Sequence, residues 1–163
     1  MLRLVALSGC ALASAHAQSA EPLPGPVPAE VVRVIDGDTV EVRARIWPGH
    51  IVETRVRLRG VDTPETRRPD CEAERTAGAA ATAFTEDWIA ASRLVTEAIE
   101  NPDASPAVVS LHEIDLGSFA GRVVARIRRA DGEDLSEALV DAELATPYGE
   151  TGPWCTASDA PSR

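Results

Sequence analysis

The sequence predicts a β-barrel with helices, an α+β fold built on five strands in the order of an OB-type barrel. Three observations predict it. Five short runs carry strand periodicity, a long helix-period stripe separates the third from the fourth, and a second capped helix follows the fifth. The chain of 163 residues has the length of one domain, and its 44% hydrophobic and 26% charged residues are those of a globular chain.

The elements follow in order. Val31 to Ile35 is a β-branched run read as strand 1, and Asp36-Gly37-Asp38 is a turn. Val40, Val42, Ala44 and Ile46 alternate with Glu41, Arg43 and Arg45, the pattern of a half-buried strand. Trp47-Pro48-Gly49-His50 is a hairpin connection. In the third strand Val52, Thr54, Val56 and Leu58 share one face, and Glu53, Arg55, Arg57 and Arg59 the other. Val61 to Arg68 reads as a loop. From Glu72 to about Asn101, Ala77, Ala81, Phe84, Trp88, Ala91, Val95 and Ile99 step at close to 3.6 residues, one helix stripe. Ala107 to Ile114 is a fourth strand, Asp115 to Gly121 a turn, and Val123, Ala125 and Ile127 alternate in a fifth. Asp134 with Glu137 three residues on marks the start of a helix running to about Leu144. The chain after Tyr148 reads as irregular.

The N-terminus reads as an address. Arg3, an apolar stretch from Leu4 to Ala13 and Ala15-His16-Ala17 fit a signal peptide over 1–17, cleaved after Ala17. Leu7-Ser8-Gly9-Cys10 also matches a lipoprotein box, but only nine residues precede that cysteine, so export with cleavage is the favoured expectation. Residues 18–29, with four prolines, read as a tether, 30–155 as the folded domain and 156–163 as a flexible tail. Beyond the leader two cysteines remain, Cys71 and Cys155. An even count in an exported chain suggests one disulfide, with two free thiols as the alternative. Neither has a Cys or His neighbour at zinc spacing.

Composition excludes some functions. No apolar run reaches the ~18–20 residues of a membrane span. All 16 basic residues are arginine, against 26 acids, for a formal charge of −10. Such a chain does not coat nucleic acid non-specifically. A polyanionic substrate must be held by local arginines or a bound cation.

Three segments concentrate chemistry: Val34-Ile35-Asp36-Gly37-Asp38-Thr39-Val40, Arg57-Leu58-Arg59-Gly60-Val61-Asp62-Thr63-Pro64-Glu65-Thr66, and Gly121-Arg122-Val123. Singly, each is an ordinary turn or a solvated charge. Together they supply Asp38 and Asp62 as oxygen donors for a hard cation such as Ca²⁺, with Glu65 within reach of a water. Arg57 and Arg122 can fork onto phosphate oxygens. Metal, carboxylate and guanidiniums are the groups that displacement at a phosphodiester needs. His50 and His112 stand outside this set.

These segments, with Glu137-Ala138-Leu139-Val140-Asp141-Ala142-Glu143-Leu144-Ala145, resemble the staphylococcal nuclease-like (thermonuclease) family over about residues 30 to 148. The resemblance implies an OB-fold barrel and calcium-dependent hydrolysis of DNA and RNA to 3′-phosphate and 5′-hydroxyl products. It implies that Asp38 and Asp62 ligate Ca²⁺ through their side chains and Thr63 through its carbonyl. Glu65 is then the general base or the group that places the attacking water. Arg57 contacts the scissile phosphate, and Arg122 stabilises the transition state and leaving group. The chain departs from the family where Lys-Tyr-Gly usually precedes the second arginine: here Ser118-Phe119-Ala120-Gly121 stands instead. Phe119 and Tyr148 are left as weak substrate contacts. No third helix is expected, and the Cys71–Cys155 pair is expected to take over its anchoring role. The expected partner is single-stranded DNA or RNA, acted on by a monomer. The competing reading is a non-catalytic OB module that binds oligonucleotides or a protein; a third is a lipid-tethered envelope domain.

Overall fold

The computed structural model describes residues 21–96, 106–119, 121–150 and 152–155. The expected leader, the helix beyond Thr96 and the tail from 156 lie outside the described residues.

Five strands close into a barrel: β1 (Val27–Asp36), β2 (Thr39–Trp47), β3 (His50–Leu58), β5 (Val108–Leu116) and β6 (Arg122–Arg128), in the order β1-β2-β3-β6-β5. A two-residue ribbon, β4 (Val61–Asp62) with β7 (Thr146–Pro147), lies beside it. Helix α1 (Glu72–Thr96) sits between β4 and β5, and α2 (Leu135–Asp141) follows β6. The barrel pairs are antiparallel except β3–β6, which is parallel. A parallel pair needs a long crossover, and α1 with β5 provides it. The expected barrel with two helices is therefore observed.

The core follows from period two. Val40, Val42, Val56, Leu58, Leu111, Ala125 and Ile127 point inward and are buried, and Leu135 and Leu139 of α2 close one end. Asp134 caps α2, accepting from the Ser136 N–H at 3.0 Å, and pairs with Arg126 and Arg128 at 3.2 and 3.3 Å.

Four expectations need correction. Strand 1 begins at Val27, not Val31, so the end of the expected tether is part of the barrel. Val27 to Glu30 pair with Leu111 to Val108, Ala29 is buried, and Leu23 exchanges both backbone hydrogen bonds with Ile114. Proline-rich chain is already extended. Pro28 lies beyond the β1–β2 register, so its missing N–H interrupts no bond of that ladder. Strand β5 runs on to Leu116, shortening the expected turn. A bulge between His112 and Asp115, with Glu113 at φ 51°, breaks the alternation that would have shown it. Helix α2 stops at Asp141, and Glu143 at φ 58° carries the chain away. The β4–β7 ribbon lies where loop and irregular chain were expected, because two residues show no periodicity.

The face that α1 buries includes Gly78, Ala81, Thr85, Trp88, Ile89 and Ser92. The apolar stripe located it, but the small and polar members come from packing. A disulfide joins Cys71, the residue before α1, to Cys155, with Cα atoms 6.0 Å apart.

Candidate active site

The site lies where β1–β2, β3 and β4 meet the side of α1. The turn after β1 delivers Asp38, which is 4% exposed. Its backbone carbonyl accepts from Leu58 N–H at 2.8 Å, tying the turn to the end of β3. Thr39 and Arg57 are directly paired across β2 and β3, which places the Arg57 side chain against Asp38. Arg57 Nη1 donates to Asp38 Oδ1 at 2.6 Å, and Nη2 donates to Asp62 Oδ1. One guanidinium thus bridges the two aspartates. Thr39 Oγ1 donates to Asp38 Oδ1 at 2.9 Å, and the Thr63 N–H to Asp38 Oδ2 at 3.1 Å. The β4–β7 ribbon brings Gly149, whose N–H donates to Asp62 Oδ2 at 3.0 Å. Asp38, Arg57, Asp62 and Thr63 are therefore brought together.

Glu65 is exposed on the loop that follows. Its N–H donates to Glu74 Oε1 at 3.3 Å, while Glu74 Oε2 accepts from Asp70 N–H at 2.6 Å. Glu74, in the first turn of α1, thus fixes both ends of the loop that carries Glu65. Arg122 opens β6, where its Cα is the register partner of Arg55. It lines a cleft of about 380 Å³ with Arg57, Ser118 and Tyr148. Its guanidinium stacks on Phe119, 4.7 Å from the ring centroid, and its Nε is buried with no hydrogen-bond partner. Arg57 lies 5.9 Å from the Tyr148 ring centroid. His50 bonds the Pro48 carbonyl and His112 bonds Ser110, both away from the site.

Sequence reasoning missed Asp36. Burial, then the charge of Asp38, with a further contribution from Glu65, pushes its carboxyl up to about 6. Its Oδ1 is buried with no hydrogen-bond partner. The charges of Asp38 and Glu65 thus both bear on Asp36. Among the described residues no three acid, His or Cys side chains form a finished metal cage, and Arg57 stands between Asp38 and Asp62. An orphaned carboxylate oxygen in an all-oxygen cluster of excess negative charge nevertheless fits a hard divalent cation. Asp36 stands within the first of the three chemistry-bearing segments, but an Asp in a hairpin turn gives no sign of its burial.

A family model, staphylococcal nuclease homologue, matches residues 55–160. The chain belongs to that family. No curated protein matches it. The matched span holds Arg57, Asp62, Thr63, Glu65 and Arg122. The Asp36–Asp38 turn lies ahead of it and joins the site through the barrel's own hydrogen bonds.

In this staphylococcal nuclease homologue α1 acts as the seat for both acid-bearing segments. Thr85 Oγ1 donates to the Gly37 carbonyl at 2.7 Å. A Cβ on Gly37 would lie 2.8 Å from Ala81 Cβ, and one on Gly78 would lie 2.6 Å from the Pro64 carbonyl oxygen. A glycine inside a 25-residue helix was the available signal. Gly78→Ala should add about 1 kcal/mol of intrinsic helix preference. The clash with rigid backbone should cost more, ~1–3 kcal/mol. Denaturant unfolding should therefore show net destabilisation, and a variant more stable than the parent would remove this account of the seat.

Proposed function

We propose that this protein is an exported, calcium-dependent nuclease that hydrolyses phosphodiester bonds of DNA or RNA to 3′-phosphate and 5′-hydroxyl ends. The observation that supports it most is the Arg57 guanidinium spanning Asp38 and Asp62, beside a cleft shared with Arg122. The family consists in general of nucleases that use calcium, which agrees with this reading. The leader-like N-terminus and the Cys71–Cys155 disulfide support export, since disulfides persist in oxidising compartments.

Asp38, Asp62 and the Thr63 carbonyl would hold Ca²⁺, with Asp36 adding negative charge behind them. Bound there, the ion would neutralise phosphate oxygens and favour attack at phosphorus. Arg57, oriented by its aspartate partners, donates to the non-bridging oxygens of the scissile phosphate. The Glu65 carboxylate accepts a proton from a water whose oxygen attacks phosphorus. The bond from phosphorus to the 5′-oxygen breaks. Arg122 stabilises the charge that builds on phosphorus and on that oxygen, which leaves as a hydroxyl after taking a proton from solvent water, to which Glu65 then returns its own. One product keeps the phosphate on its 3′ carbon.

The purified protein, incubated with single-stranded DNA, should cut it with calcium and stop when a chelator is added. Cleavage indifferent to chelator would overturn the calcium dependence. No cleavage under either condition would favour the binding module.

A further inference from the structure

We propose that a second cleft, on the outer face of β2, β3 and β6, extends the substrate channel for a single nucleic-acid strand. Phe119 stacks a nucleobase there, on the 3′ side of the scissile linkage, and Arg55 holds a neighbouring phosphate. The direction rests on the leaving-group role assigned to Arg122 above.

The cleft measures about 530 Å³, larger than the one beside Arg57. Arg122 lines both, so the two clefts meet at that side chain. Phe119 lines the second one and is 67% exposed. Tyr148, 70% exposed, lines the first. Two exposed rings therefore flank the arginines that would face phosphate. Rings beside guanidiniums are the elements of a single-strand track, because every base offers a π-face to stack.

Arg55 follows from the strand geometry. It is two residues from Arg57 on β3, so both point outward, ~6.6 Å apart along the strand. That is about the length of one extended nucleotide. Arg55 is also the register partner of Arg122. Two acids line this cleft as well. Glu41 is matched by Arg33 at 2.6 Å and by Arg55 at 3.9 Å. Glu53 is exposed. A stacked base must be free of its complement.

The test is fluorescence anisotropy with a labelled octanucleotide, in calcium and in chelator, with one abasic position walked along the strand. Wild type should lose about 5- to 150-fold in affinity at a single abasic position. Cleavage mapping should place that position 3′ of the cut. Phe119→Ala should bind the intact strand weaker by the same factor and be indifferent to that abasic position. Phe119→Trp should restore the discrimination. Arg55→Ala should make the salt dependence shallower, by about 0.7 in the log–log slope. Equal losses in wild type and Phe119→Ala at every position would overturn the channel, as would coupling 5′ of the cut or no binding at all. A strand bound with the expected pattern but never cut would instead overturn the nuclease reading and leave the channel standing.

Discussion

Glu65→Gln and Arg122→Ala are each expected to lower kcat on single-stranded DNA by ~10² or more, the scale of one electrostatic group in such a site. Gln keeps the shape of Glu65 and cannot accept the proton of the attacking water. The exposed carboxylate contributes to the raised pKa of Asp36, so its charge reaches the cluster it would serve. The Glu65 loop is held through its backbone by Glu74, so Glu65→Gln should fold like the parent. Arg122 has a buried Nε with no partner in the protein, stacked on Phe119 and lining the cleft with Arg57. Its removal takes away a donor aimed at developing charge. Steady-state kinetics with calcium separates the two. Glu65→Gln should leave KM near its wild-type value, whereas Arg122→Ala should lower kcat and raise KM. Turnover within a few-fold of wild type in either variant would refute the role assigned to it.

Cys155→Ser is expected to destabilise the fold by about 4–5 kcal/mol on the chain-entropy estimate for a loop of this length. The bridge spans 84 residues and ties the start of α1 to the chain beyond β7. That is a large share of the ~5–15 kcal/mol that holds a typical domain together. The bridge also anchors α1 at the end that carries Glu74, so catalysis should suffer together with stability. Denaturant unfolding with and without reductant checks it. Reductant should lower the midpoint of the wild type and leave that of Cys155→Ser unchanged. An equal response of both proteins would show that the bridge contributes nothing.

Much of this is legible in the amino-acid sequence. The barrel strands announce themselves through Val40–Val42 and Val56–Leu58, because burying one face of a strand imposes period two. The cap of α2 is legible because Asp134 binds a backbone N–H two residues on, a purely local interaction. What sequence reasoning misses is less local. Asp36 looks like any turn residue, and its raised pKa comes from burial of its carboxyl and from the charges of Asp38 and Glu65, which folding brings near it. Arg55, Arg57 and Arg59 look like one solvated row. Arg57 reaches Asp38 and Asp62, whereas Arg59 reaches the Glu113 carbonyl at 2.7 Å and the Asp115 carboxylate. Side by side in sequence they are equivalent, and only their cross-barrel neighbours separate them.

The residues themselves settled the kind of chemistry available: carboxylates as oxygen donors and proton acceptors, and arginines as the only permanent cations, set at alternate positions along strands. Those properties belong to side-chain types and to short-range periodicity. Folding settled which of these groups meet. The parallel pairing of β3 with β6 set Arg122 beside the Arg57 strand, a glycine in α1 let the Glu65 loop come close, and Val27 to Glu30 closed the barrel against β5. Each depends on partners tens of residues away, and no local pattern records where the chain will return.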